Sequence, residues 1–141
     1  MKPHHFLVPL LALWLTACAT KPAAPAAHPV KRYAMVTGLK PEKEAYYREL
    51  HAHPWPSVIK TIRDCNIRNF SIFRAEIGGK PYLFAYFEYV GDNFEADMKK
   101  MADDPETQRW WKETDPCQTP LPEAAKQGKI WTDAEEVFWT P

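Results

Sequence analysis

Pro54-Trp55-Pro56 interrupts a stretch that otherwise reads as one helix. Residues 41 to 50 are helix formers, with Pro41 suited to a first turn where its missing N–H would be unpaired anyway. Residues 57 to 65 resume helical spacing, with Val58, Ile62 and Cys65 on one side. A proline inside a helix removes a donor and its ring clashes with the preceding turn. The helix must therefore stop or kink between His51 and Trp55. His51 is left at a helix end, where a ligand can approach it.

The remaining elements follow from periodicity and punctuation. Residues 31 to 39 form a β-rich run ending near a glycine, and residues 67 to 77 and 81 to 90 are two strand candidates joined by Gly78-Gly79-Lys80, a hairpin signal. In the later strand Tyr82, Phe84 and Tyr86 alternate with Leu83, Ala85 and Phe87, so both faces are apolar and both call for cover. Helices supply one cover; a partner chain or a ligand is expected on the other. Residues 92 to 101 place Phe94, Met98 and Met101 on one helical face, and Asp104-Pro105-Glu106 restarts a helix. Residues 116 to 133 read as a long polar excursion, and residues 135 to 140 as a closing strand. The order βαββαβ is the ferredoxin-like, α+β arrangement. Such a fold hosts many activities and does not by itself name one.

The N-terminal eighteen residues have a basic start, an apolar run from Phe6 to Leu15 and small residues after it, the pattern of a secretory leader. Leu15-Thr16-Ala17-Cys18 resembles a bacterial lipobox, which makes Cys18 the expected lipid attachment point. Residues 19 to 30 are an Ala/Pro-rich spacer, and the folded domain is expected over residues 31 to 141. The chain would be tethered to a bacterial membrane on the periplasmic side through that lipid alone. Cys65 and Cys117 are expected as unpaired thiols.

The chain carries 18 basic and 18 acidic side chains with no long run of one sign. Nucleic acid, which needs a positive stripe to neutralise phosphates, is not an expected partner on this count. Neither G-x-S-x-G nor a glycine-rich phosphate loop is present. Proton transfer near neutral pH usually calls on imidazole, and beyond the spacer only His51 and His53 are available. On a helix Tyr47 and His51 share a face. His51-Ala52-His53 on an extended segment could instead begin a metal site, but no third ligand at a recognised spacing accompanies it. Of the adjacent Trp110 and Trp111, at least one must lie near a surface or line a cavity, and an indole suits the C–H face of a sugar ring.

YYRELHAHPWP, NFSIF, QRWW and EVFW, in this order, resemble the L-rhamnose mutarotase family, over residues 33 to 141. The resemblance implies a dimeric α/β-barrel that interconverts the anomers of a sugar without a cofactor or metal. It places the proton-donating histidine at His51, a substrate-binding tyrosine at Tyr47 and the sugar-contacting pair at Trp110 and Trp111. A further binding tyrosine falls on Phe70, where the hydroxyl is missing, which puts the identity of the sugar in question. The expected reaction is opening and reclosure of a deoxyhexose ring, with His51 protonating the ring oxygen and His53 or a water opposing it. The alternative is a tethered carbohydrate-binding module that kept the pocket and lost turnover.

Overall fold

The computed structural model describes residues 29–140. The leader, Cys18 and all but the last two residues of the spacer lie outside the described residues. Strand β1 (Lys31–Leu39) leads through a 3-10 turn into helix α1 (Glu44–Ala52), followed by α2 (Pro56–Asp64), β2 (Ile67–Ile77) and β3 (Lys80–Tyr89). Helices α3 (Phe94–Asp103) and α4 (Pro105–Thr114) come next, then β4 (Gln118–Thr119), α5 (Pro122–Lys126) and β5 (Thr132–Ala134).

The proline break divides α1 from α2. The residue before a proline avoids helical backbone, and Trp55 is extended at φ −65° and ψ 130° directly before Pro56, which opens α2. Asn93 and Asp104 cap α3 and α4 by accepting from the backbone N–H groups of Ala96 and Thr107. Gly78 and Gly79, both at positive φ, form the two-residue turn between β2 and β3.

The sheet runs β2-β3-β1-β4, with β5 also on β1, and all the pairings are antiparallel. This is the ferredoxin-like order, with one change at its fourth position. There β4 and β5 share the free edge of β1, β4 opposite Gly38–Leu39 and β5 opposite Ala34–Val36. Gly38 is needed for the approach, since a Cβ there would lie 2.8 Å from the Thr119 carbonyl oxygen.

Two sequence expectations change accordingly. Residues 116 to 133 are not an unstructured excursion: they hold β4 and α5 and are pinned to β1 by Lys40 N–H donating to Cys117 O and Thr37 Oγ1 donating to Ile130 O. The closing strand is Thr132–Ala134 rather than residues 135 to 140. In the β1–β5 register residue 136 falls opposite Arg32, one place from the start of β1, so little strand remains to pair with. Side chains take over there: Arg32 makes a two-pronged ion pair with Glu136 at 2.6 and 2.9 Å, and its guanidinium lies 4.0 Å from the Trp139 ring.

The helices cover one face of the sheet. Along β3, Leu83, Ala85, Phe87 and Tyr89 are buried, while Tyr82, Phe84 and Tyr86 on the opposite face are only half-buried. Each large apolar side chain removed from water contributes about 1.5–3 kcal/mol before entropy is counted. The other face keeps Phe73, opposite Phe84 in the ladder, 62% exposed. Leu39, Tyr47, Leu83 and Cys117 make a core cluster between α1 and the sheet, with Ile72 and Trp131 against it. Cys65 and Cys117 are buried and free. No helix among the described residues is long and apolar enough to cross a membrane.

Candidate active site

Tyr47 and His51 lie one turn apart on the face of α1 that meets the sheet. Tyr47 is buried, and the His51 ring stacks on it with centroids 4.1 Å apart and planes at 29°. His51 Nδ1 lies 2.8 Å from the Tyr47 carbonyl oxygen. A carbonyl only accepts, so Nδ1 carries a proton and donates it. Nε2 is the nitrogen left without a protein partner among the described residues, and it is the one available for proton exchange.

The proline break completes this arrangement. It carries the chain away from α1 and sets Trp55 against Trp110, edge to face at 5.3 Å, with the Arg109 guanidinium 5.0 Å from the Trp55 ring. Trp110 in turn meets His51 edge-on at 5.2 Å and 68°. Burial pulls the His51 pKa below its ordinary value, opposed by the bond to the Tyr47 carbonyl. Burial also pushes the Tyr47 phenol well above the usual tyrosine range. At neutral pH the site therefore rests with a neutral imidazole and a protonated phenol.

Phe70 reaches the site through an irregularity in β2. The pairing with β3 shifts between Arg68 and Ser71, so that Asn69 and Phe70 both oppose Phe87. Asn69 adopts φ 50°, a left-handed conformation that asparagine tolerates better than most residues. Bulges of this kind redirect side chains and recur beside active sites. Phe70 is 43% exposed and packs edge-on against Phe87.

Two hollows flank the imidazole. One, of about 560 Å³, is bounded by His51, Trp110, Phe70, Ile72, Arg63 and Arg68; the other, of about 420 Å³, by Tyr47, His51, Ile72, Leu83, Arg48 and Arg74. They share His51 and Ile72. A larger hollow of about 680 Å³ lies between α2 and α3, among the Lys60–Asp64 and Lys99–Asp103 ion pairs, and it contains neither a histidine nor an aromatic ring. Apolar walls with a few converging polar groups mark a ligand site, and the pair of hollows at His51 has both.

Tyr47, His51, Phe70 and Trp110 thus come together around these hollows. Trp111, expected as the second half of a sugar-contacting pair, is 37% exposed and bounds neither hollow. His53 also stands apart, its ring facing solvent beside Glu49 at 3.1 Å. Among the described residues there is no group of three or more His, Cys, Asp or Glu side chains placed to hold a metal. Sequence reasoning passed over Arg63, Arg68 and Asn69. Of these only Asn69 left a legible signal, an asparagine inside a strand pattern.

A profile of the L-rhamnose mutarotase family matches residues 32–140. The chain belongs to this family. It is 31% identical over 110 residues to an L-rhamnose mutarotase of Bacillus subtilis, covering 78% of this chain and 98% of the relative. To an L-rhamnose mutarotase of Listeria monocytogenes it is 30% identical over 110 residues, with the same coverage of 78% and 98%. The crystal structure of an L-rhamnose mutarotase from Formosa agariphila shares the fold, with a TM-score of 0.59, 23% identity, and 79% of this chain and 99% of that one covered. The family match spans the described domain from β1 to the C-terminal segment, and all the elements that build the hollows at His51 lie inside it.

Proposed function

We propose that the chain is a sugar mutarotase that interconverts the α and β anomers of a deoxyhexose such as L-rhamnose, with His51 as the group that moves the proton. One observation carries the reading: Nδ1 is committed to the Tyr47 carbonyl, which fixes the tautomer and leaves Nε2 to a hollow walled by aromatic rings. Family membership supports the reaction class.

The chemistry needs little more. As the ring opens, C1–O5 breaks and C1=O1 forms; Nε2 takes the proton of the anomeric hydroxyl while a water gives one to O5. Rotation about C1–C2 turns the other face of the carbonyl toward O5. On reclosure C1–O5 forms again, the imidazolium returns its proton to O1, and water recovers the one on O5. Trp110 packs against the ring, and the buried Tyr47 holds the imidazole plane. A single positioned acid-base group contributes about 10²–10⁴-fold, a useful gain for a reaction that already proceeds in water.

The resemblance assigns His51 the opposite direction, donation to the ring oxygen from the imidazolium. The resting neutral form disfavours that start at pH 7. Anomer exchange followed by NMR on L-rhamnose against pH separates the two. Exchange that rises with pH through the lowered His51 pKa and then levels identifies the base-first route; exchange that falls over the same range identifies donor-first. No acceleration of L-rhamnose by the wild-type protein at any pH sinks the deoxyhexose reading.

Two further parts of the proposal concern what the domain is attached to. The open sheet face, with Phe73 exposed and Tyr82, Phe84 and Tyr86 half-covered, suits a second copy of the chain. A sedimentation run that finds only monomer at micromolar concentration would remove the dimer. Cys18 is proposed as a lipid-bearing terminus that holds the domain at a bacterial membrane; failure to incorporate labelled palmitate in a lipoprotein-processing host would remove that.

A further inference from the structure

All six arginines of the chain lie in the described domain. Arg32 pairs with Glu136, Arg48 with Glu44, Arg74 with Glu44 and Glu76, and Arg109 with Glu106. Arg63 and Arg68 make no ion pair with the described residues. Both bound the hollow that contains His51, Phe70 and Trp110, and no Asp or Glu bounds it with them.

The two are held differently. One terminal nitrogen of Arg68 donates to the carbonyl oxygens of Arg63 and Ile67, at 2.8 and 2.7 Å. That anchors the guanidinium and leaves its other N–H groups unengaged. The Arg63 guanidinium makes no hydrogen bond to the described residues. Glu88, opposite Arg68 in the β2–β3 ladder, is already engaged by Asn69 Nδ2 at 2.6 Å and Tyr86 OH at 3.1 Å. A solitary arginine on a surface is ordinary. Two on one rim, in a domain whose other arginines all have carboxylates, leave a local positive charge that no described residue pairs. Phe70 on the same wall offers no hydrogen bond to a neutral hydroxyl.

We propose that the pyranose this site accepts carries an oxyanion, the carboxylate of a uronic acid or a phosphate ester, which Arg63 and Arg68 bind while His51 works at C1. The guanidinium fork matches both anions, and such charge-assisted pairs are stronger than neutral hydrogen bonds. The inference rests on the mutarotase reaction proposed above and puts an anionic pyranose in place of the neutral deoxyhexose as its substrate.

Anomer exchange measured by NMR on D-galacturonate, D-galactose 6-phosphate, D-galactose and L-rhamnose tests it. The anionic sugars should be accelerated about tenfold more than D-galactose, the factor worth about 1.4 kcal/mol, and the preference should shrink at high salt. Whichever anion gains more identifies its class. Arg63→Gln, which alters no protein hydrogen bond, should lower the anionic-to-neutral ratio about threefold or more, and Arg63→Gln with Arg68→Gln should bring it near one. Equal or better acceleration of the neutral sugars overturns the proposal and leaves the mutarotase reading standing. A ratio unmoved by the variants overturns the arginine assignment. Should no sugar be accelerated, the mutarotase reading fails, and chemical-shift titration decides the rest: tighter binding of D-galacturonate than D-galactose supports the arginine pair, and equal binding overturns it.

Discussion

His51 and His53 are separated by one residue and have opposite environments. His51 lies in the last turn of α1 on the side facing the sheet, half-buried, stacked on Tyr47 and met by Trp110. His53 follows the end of the same helix, its side chain 77% exposed beside a Glu49 side chain that is 72% exposed. Two residues along a helix is roughly half a turn, so the neighbour of an inward residue at that spacing faces out. The pair shows that the HAH sequence does not define a site. The helix face does, and the proline break ends the helix just after choosing it.

The largest effect expected is on turnover. His51→Asn keeps a side-chain N–H that can donate to the Tyr47 carbonyl and removes the exchangeable Nε2. Anomer exchange should fall about 10²–10⁴-fold, with the fold intact by circular dichroism. If His53→Asn caused a comparable loss, the division between the two histidines would be wrong.

Trp110→Ala tests what makes the environments differ. Trp110 is 8% exposed and stands against both His51 and Trp55. Truncating a buried tryptophan costs about 3–5 kcal/mol, read as a lower urea midpoint. Opening that wall to water also removes part of the burial that lowers the His51 pKa, so the pKa should climb toward its ordinary 6.5 in an NMR titration. An unmoved titration would show that Trp110 is not what desolvates the ring.

A smaller effect follows from linkage. The folded His51 pKa is depressed below 6.5, so the unfolded chain binds more protons at this position just below that value. The contribution of the neutral imidazole is fully present above about pH 6.5 and declines as pH falls through the lowered pKa. Urea midpoints should drop more on acidification for the wild type than for His51→Asn. Parallel curves would mean that burial does not perturb this group.

Much of the architecture was legible because it is punctuated. Strands β1 and β2 occupy residues 31 to 39 and 67 to 77, as their runs of β-formers and flanking glycines implied, and Pro56 and Pro105 open helices where prolines are tolerated. The fourth sheet position was not legible. Strands of two and three residues have no period to detect, and what fixes β4 and β5 is the free edge of β1, a tertiary fact. The same limit applies at the site. Spacing on α1 gave Tyr47 with His51, but Trp55 against Trp110, and the lack of an ion-pair partner for Arg63 and Arg68 among the described residues, depend on which segments meet. Trp111 is paired with Trp110 by the family resemblance and not by spacing, since neighbouring residues on a helix are turned about 100° from each other.

The smallest effect belongs to His53, and its smallness is informative. Replacing it with Asn removes one contact between two exposed side chains, where water already competes for both partners. Surface changes of this kind stay within about 0.5 kcal/mol, so the urea midpoint should hold and anomer exchange should stay within about twofold of wild type. That outcome also bears on the second proton. If His53 can be lost at neutral pH without consequence while His51 cannot, the group that serves the ring oxygen opposite His51 is not a second imidazole. Exchange in deuterated water should then show a solvent isotope effect that persists in His53→Asn, because the remaining transfer passes through water in the hollow. Loss of that isotope effect on removing His53 would put the second transfer on the protein instead, and would require α1 to unwind far enough to bring an outward-facing ring to the site.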